Sequence, residues 1–105
     1  MRISVIGAHG LAAALAAHLH LEHVQNVHEI ASAGFVLDGD ALSVDEARAL
    51  DIVLRSRAAE VEAVLWLSGG DPAVLERYHG RVIELDPAAA FDSALDGLRE
   101  VLLAA

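Results

Sequence analysis

Three residue types are missing from this 105-residue sequence: cysteine, lysine and threonine. Without cysteine the chain can form no disulfide, thiolate nucleophile or cysteine-ligated zinc or iron–sulfur site. Without lysine it has no Walker-type phosphate-binding lysine, no Schiff-base chemistry and no lysine general base. All seven cationic side chains are therefore arginines.

Positive charge is scarce as well. Seven arginines face sixteen Asp and Glu residues, which gives a formal net charge of −9 at pH 7. A surface this acidic repels phosphate backbones and anionic lipids, so we expect neither nucleic-acid binding nor membrane association. No apolar run approaches the roughly 20 residues that span a bilayer, and the sequence predicts a cytoplasmic protein.

The composition is otherwise that of a small packed domain. Hydrophobic residues make up 55% of the chain, and 21 of its residues are alanine. The length suits one core and is too short for two, so residues 1–105 are expected to form a single α/β domain. The abundant alanine allows helices to pack closely against a sheet.

Apolar runs and turn signals predict four strands that alternate with four helices. The strands are expected at residues 2–6, 27–32, 62–67 and 81–85. The helices are expected at about 10–22, from Ser43 onward, at 71–80 and from Asp86 onward. This alternation predicts a four-stranded parallel sheet with helices on both faces, the three-layer sandwich of flavodoxin-like and phosphatase-like folds.

Residues 35–56 are predicted as a loop followed by a helix, and one short segment of that helix has a competing interpretation. Residues 35–42 contain Asp38-Gly39-Asp40 and are expected to form an exposed loop. Ser43 with Glu46 three positions later is a capping box, which predicts a helix from there. The competing interpretation makes Ile52–Leu54 a strand.

The turn after the first predicted strand is the main candidate site. Gly7, Ala8, His9, Gly10 and Leu11 join a strand to a helix, and backbone N–H groups in such a turn can bind an anion. The alternative is a tight turn that needs glycine only for its backbone angles. His9 is the one side chain there suited to act as an acid, a base or a phosphoryl acceptor.

The same turn has the spacing of a dinucleotide-binding fingerprint. Gly7, Gly10 and Ala13 follow the Gly-x-x-Gly-x-x-Ala form, which by itself is a weak signal. The second predicted strand ends in Ser32-Ala33-Gly34, where a ribose-binding acid would be required. We therefore expect no dinucleotide or other cofactor.

Other candidates lie at the carboxyl ends of the strands, where parallel sheets bind ligands. Ser32 and Asp86 are accessory candidates, although Asp86-Pro87 is also a typical helix start. His18, His20 and His23 could ligate a metal, with His20 and His23 on one helical face. Histidines near a helix C-terminus are commoner as dipole partners, so no metal site is predicted.

With these elements placed, the chain resembles the low-molecular-weight protein tyrosine phosphatase family. The shared features are the strand–loop–helix Ile3–Leu19, the Ser32-Ala33-Gly34 ending, the apolar strand Ala63–Leu67, and Asp86-Pro87 with Phe91 before a terminal helix. The resemblance implies a four-stranded parallel sheet and a phosphate loop after the first strand. It also implies a general acid at Asp86.

The chain departs from that family at its catalytic residues. Gly7 or Ile6 stands where the nucleophilic cysteine would be, and Ala13 or a neighbour replaces the phosphate-binding arginine. Sugar-phosphotransferase IIB components, which the chain also resembles in length and in the register of Gly10, use a cysteine at Gly7 too. Without thiolate and guanidinium, the resemblance implies no phosphatase activity.

Two hypotheses follow from the sequence. The first is a non-catalytic phosphatase-like module that acts by protein interaction, including as a homodimer, or by weak binding of a small anion. The alternative is a small Rossmann-like nucleotide- or anion-binding enzyme domain that uses the Gly7–Gly10 loop and His9. The orientation of carbonyl and N–H groups around the loop should discriminate between them.

Overall fold

The fold is that of a computed structural model, which describes residues 1–8, 10–25, 29–30, 34–38, 43–56, 61–69 and 71–104, with side chains up to residue 101. Five strands form one parallel sheet: β1 Arg2–Ile6, β2 Glu22–Val24, β3 Phe35–Asp38, β4 Ala63–Trp66 and β5 Val82–Glu84. Four helices connect or follow them: α1 Leu11–Leu19, α2 Val44–Arg55, α3 Pro72–Arg77 and α4 Ala90–Ala104. Within those ranges no helix has the length and apolarity that a membrane crossing requires.

The sheet has the strand order β2-β3-β1-β4-β5, so β1 lies at its centre. Ile3 pairs with Val36 of β3 on one side and with Ala63 of β4 on the other. Parallel neighbours require crossover connections. Helix α1 follows β1, α2 connects β3 to β4, and α3 connects β4 to β5. The α/β fold class predicted from the sequence is confirmed, although the described sheet has five strands rather than four.

Two apolar layers cover the sheet. On one face Ile3 and Val5 pack with α1 and α4, through residues such as Leu15 and Leu98. On the other face Ile6 packs with α2 and α3, in a cluster that includes Leu50. Alternate residues of β1 thus point to opposite faces, as the strand period of two requires, and the sheet is buried on both sides.

The predicted loop at residues 35–42 is wrong for its first four residues. Phe35, Val36 and Leu37 are buried, and they pair with β1 on one side and β2 on the other. The apolar triplet together with Asp38 therefore forms β3. Residues 39–42 lie outside the described residues.

The first helix is shorter than predicted. It ends at Leu19 because His20 adopts a left-handed conformation (φ 56°), and the N–H of Leu21 then donates to the carbonyl of Ala16. This termination allows Glu22–Val24 to form β2, a strand that the sequence does not predict. Residues 29 and 30 are not part of a strand, and residues 26–28 and 31–33 lie outside the described residues.

The later elements follow the sequence more closely. Ser43 caps α2 by accepting a hydrogen bond from the N–H of Glu46 (3.2 Å), so the helix start predicted at Ser43 is confirmed. Ile52–Leu54 is helical, which excludes the alternative strand. Asp71 caps α3 by accepting from the N–H of Ala73 (2.9 Å), with Pro72 as the first helical residue.

Candidate functional site

The β1–α1 loop lies at the carboxyl end of the central strand. Helix α1, which follows β1, packs on one face of the sheet, whereas α2 and α3, which follow the neighbouring strands β3 and β4, pack on the other face. The connection that leaves β1 thus crosses one face of the sheet, whereas the connections that leave its two neighbours cross the other face. In open α/β sheets ligands bind at such a divergence, so the topology places the Gly7–Gly10 loop where a ligand would be expected.

Gly7 is held in place by the loop that follows β4. Its φ is +80°, and a Cβ built on it would overlap the carbonyl oxygen of Ser68. The N–H of Leu67 donates to the carbonyl of Ile6 (2.9 Å), so the residues just before Gly7 and Ser68 are also joined. Glycine at position 7 is thus explained by its backbone angle and by this close approach.

Gly10 has the same φ of +80° but open space around it. It is the N-cap of α1, and no side chain of the described residues caps the helix there. The N–H of Leu11 donates to the carbonyl of Ala8 (3.2 Å). The N–H groups of Ala12 and Ala13 also belong to the first turn, which has no intrahelical partners. Among the described residues, Ala12 and Ala13 are therefore the ones whose first-turn N–H groups are placed as donors for an anion.

The other residues of the predicted loop site, and its accessory candidate Ser32, differ in what the structure shows of them. Ala8 and Leu11 are buried against the sheet and contribute backbone rather than side chain. His9 and Ser32 lie outside the described residues. Gly34, two positions after Ser32, precedes β3, and Glu22 donates its N–H to the Gly34 carbonyl (3.3 Å). Gly34 therefore belongs to the amino-terminal edge of the sheet, opposite the candidate loop.

Asp86 lies beyond the carboxyl end of β5, at the predicted edge but two strands away from β1. Its Oδ1 accepts the N–H of Ala88 (2.9 Å), and its own N–H donates to Oγ of Ser93 (3.0 Å). Asp86 thus closes a turn, and α4 begins at Ala90 rather than directly after Pro87. This hydrogen bonding explains the Asp-Pro pair without a ligand.

The three clustered histidines are separated by the end of α1. His18 is in the helix and meets the ring of Phe91 edge-on at 5.5 Å. His20 is the left-handed C-cap, and His23 is in β2. The expectation that His20 and His23 share a helical face is therefore wrong, because the helix ends before both. In the part of the chain that the structure describes, no three acidic or histidine side chains are grouped as metal ligands.

A polar network fixes the helices on the opposite face from α1. Asp51 of α2 accepts from Nε of Arg77 (2.7 Å) and from the hydroxyl of Tyr78 (3.2 Å). Burial of the Tyr78 ring, followed by the negative charge of Asp51 and this hydrogen bond, raises the pKa of Tyr78 to about 12. Each cause disfavours the phenolate. The network is structural and lies on the face away from α1.

The contact between the β1–α1 and β4–α3 loops is not predictable from the sequence. Besides Ser68, this second loop includes Gly69, whose carbonyl accepts from the indole Nε1 of Trp66 (3.0 Å). The sequence does predict the second loop itself, because Ser68-Gly69-Gly70 follows an apolar strand and indicates a turn at the same edge of the sheet. Its approach to Gly7 depends on β1 and β4 being neighbours, which the sequence alone does not show.

No family model matches the chain. Parts of the chain are similar to curated adenylate kinases. The protein from Nitrobacter winogradskyi is 43% identical over 51 residues, which are 49% of this chain and 25% of that protein. The Streptococcus gordonii protein is 32% identical over 63 residues (60% and 30%), and that from Mycobacterium tuberculosis is 41% identical over 51 residues (49% and 28%). The similarity thus spans less than a third of each relative.

Compared with the phosphate-binding pattern Gly-x-x-x-x-Gly-Lys-Ser/Thr, the segment from Gly7 keeps only its first glycine. Ala12 stands at the second glycine, Ala13 at the lysine and Ala14 at the hydroxyl residue. Ala12 is buried, whereas Ala13 and Ala14 are exposed. The strand–loop–helix frame is therefore present without the side chains that contact phosphate and magnesium.

Proposed function

We propose that this chain is a nucleotide-binding α/β domain that receives phosphate groups at the Gly7–Gly10 loop and the N-terminus of α1. The observation that carries the proposal is the similarity to adenylate kinases combined with a glycine-containing loop at the carboxyl end of the central parallel strand. This corresponds to the alternative hypothesis drawn from the sequence. The phosphatase-like interpretation stays a prediction.

Binding would depend on backbone donors. The N–H groups of Ala12 and Ala13 and the partial positive charge of the α1 N-terminus are the attractive elements. Several arginines are engaged elsewhere: Arg2 lies 3.3 Å from Glu62, and Arg77 lies 2.6 Å from Asp51. With a net charge of −9 opposing an anionic ligand, we expect weak affinity.

Phosphoryl transfer is not expected from this chain alone. Charge that develops on a transferring phosphoryl group is stabilised by lysine or arginine and by a magnesium ion held by a hydroxyl side chain. The chain has no lysine, and alanine stands at position 14. The proposed activity is therefore nucleotide binding without catalysis of transfer.

A second candidate is a protein-interaction module in which the loop binds no anion. One observation favours it: the Ser68 carbonyl oxygen faces Gly7, and an acceptor at this position repels an anion. The two candidates differ in whether ATP binds the native state. Any ligand that does so must raise its apparent stability.

The decisive experiment is a titration with ATP that compares the natural chain with Ala13→Lys and Ala17→Lys. Both alanines are exposed and lie one turn apart on α1, so the variants add the same charge to the same helix face. We expect Ala13→Lys to tighten ATP binding by about tenfold, because a lysine there can reach the phosphates, and Ala17→Lys to have less than about a threefold effect.

Trp66 provides the readout. It is the single tryptophan and lies next to the loop pair through its hydrogen bond to Gly69. Its fluorescence should change on ATP addition, and calorimetry should give the same dissociation constant. Equal affinities of the two variants, or no binding by any of the three proteins, would refute nucleotide binding at this loop. ATP hydrolysis should not exceed that of a no-protein control.

A further inference from the structure

Strand β5 is an edge of the sheet. It pairs with β4 through Leu65 and Ile83, and within the described residues no strand lies on its other side. The carbonyl of Arg81 accepts from Val64, and the N–H of Leu85 donates to Trp66 (2.9 and 2.8 Å). Since successive backbone groups of a strand alternate in direction, those of Val82 and Glu84 point away from β4.

Grooves flank this edge on both faces of the sheet. A groove of about 580 Å³ lies between β5 and α4 and is lined by Ile83, Asp96 and Glu100. A second groove of about 460 Å³ lies between β5 and α3 and is lined by Leu75 and other residues of that helix. Both grooves include Val82 and Glu84, so they meet at the outward backbone of the strand.

The floor of the first groove is fixed by close packing. A Cβ at Gly97 of α4 would lie 2.5 Å from Cγ2 of Ile83, so the helix rests directly on the strand. A strand added beside β5 would place alternate side chains in the two grooves.

Acidic side chains predominate in both grooves, although one of them, Asp96, lies 4.0 Å from Arg99 in an exposed pair. Asp96 and Glu100 line the α4 side, and Glu76 and Glu84 line the α3 side. Arg81 also lines the α4 side, but its guanidinium donates to the Val61 carbonyl (2.7 Å) and lies 5.3 Å from the centre of the Tyr78 ring. A strand added here would therefore form hydrogen bonds with the β5 backbone and would have acidic side chains on both sides, which we call the acidic walls.

We propose that the β5 edge binds an extended basic segment of another polypeptide, which adds to the sheet as a sixth strand. Hydrogen bonds to the Val82 and Glu84 backbone would hold the segment, and its arginine or lysine side chains would face the acidic walls. A second copy of this chain is a poor occupant, because two copies of the same acidic edge would repel each other. This proposal is independent of nucleotide binding.

The test uses a labelled peptide of about nine residues in which arginine and valine alternate, the length of a typical strand with its flanks. Fluorescence anisotropy gives its dissociation constant, and amide chemical shifts locate it. We expect shifts centred on Val82 and Glu84. Val82→Pro removes one outward N–H at the first residue of an edge strand, a position where proline is tolerated, and should abolish binding. Val82→Ala, which keeps that N–H, should bind.

The contribution of charge is tested by two matched double variants. Asp96→Asn with Glu100→Gln removes two groove charges, and Asp45→Asn with Asp92→Asn removes two exposed charges outside the groove. We expect the first pair to weaken peptide binding by about tenfold, which corresponds to about 1.4 kcal/mol, and the second pair by less than about twofold. A peptide of alternating glutamate and valine should not bind.

The outcomes separate strand addition from general attraction to an acidic surface. If Val82→Pro fails to fold, a peptide N-methylated on alternate residues tests the same hydrogen bonds from the other partner, and it should not bind the natural chain. Equal losses in both charge pairs, shifts away from β5, undiminished binding of the N-methylated peptide, or no binding of the basic peptide would each overturn the proposal. Concentration-dependent dimerisation through β5 would assign the edge to a second copy instead.

Discussion

Two glycines of the same loop have the same φ but different surroundings. Gly7 contacts the Ser68 backbone, whereas Gly10 faces open space. The sequence identifies both as turn residues and does not distinguish them, because the difference arises from a loop some 60 positions away. The distinction can be measured directly with alanine.

We expect Gly7→Ala to lower the free energy of unfolding by about 3 kcal/mol, from left-handed strain together with overpacking against Ser68. Gly10→Ala should cost only about 1 kcal/mol, since it introduces the strain alone. Urea unfolding followed by Trp66 fluorescence measures both. Equal costs for the two variants would show that the Ser68 contact does not constrain Gly7.

Tyr78 links stability to alkaline pH. Its pKa is raised from 10.0 to about 12, chiefly by burial, so the folded state binds a proton that the unfolded state loses first. The resulting stability is present below pH 10 and is lost as pH rises towards 12, by about 2–3 kcal/mol in all. The chain has a single tyrosine and no lysine or cysteine, so few other groups titrate in this window.

Phenolate absorbance should therefore show one transition near pH 12 in the folded protein and near 10 in urea. Tyr78→Phe should cost about 1 kcal/mol at pH 7, because it removes the hydrogen bond to Asp51. It should also flatten the loss of stability between pH 10 and 12. An unchanged alkaline slope in this variant would assign the effect to another group.

The helices show what local chemistry encodes. The Ser43 and Asp71 caps were predicted because each involves residues two or three positions apart, and both are formed. The strands depend on partners distant in the sequence. The three consecutive apolar residues Phe35–Leu37 show no alternation of apolar and polar positions. They form a strand because they lie between β1 and β2. The sequence pattern extends the first helix to Glu22. The left-handed His20 ends the helix before that residue, and Glu22–Val24 forms β2.

The cap of α2 can be tested with a graded pair of variants. Ser43→Ala removes the acceptor of the Glu46 N–H and should lower the free energy of unfolding by about 1 kcal/mol. Ser43→Gly should cost only a few tenths, since glycine is also favoured at the N-cap. Thermal unfolding by circular dichroism resolves the difference, and an equal loss in both variants would point to the serine side chain's packing instead.

At the scale of the whole molecule, alternating elements and alanine-rich helices were enough to predict a parallel α/β sandwich. The candidate loop was likewise predictable, because a glycine turn after a first apolar strand must lie at the carboxyl edge of such a sheet. The strand order was not, since it depends on which crossovers bury the most apolar surface. That order sets both the loop contact at Gly7 and the identity of the exposed edge.

The central position of β1 also governs how the chain can fold. Its neighbours β3 and β4 begin at residues 35 and 63, so β1 cannot complete its hydrogen bonding until more than half of the chain is available. A fragment that ends within α2 would leave one side of the innermost strand open to other chains. Pairing at such sequence separations slows folding. We therefore expect the unfinished polypeptide to be most prone to aggregation just before β4 is added.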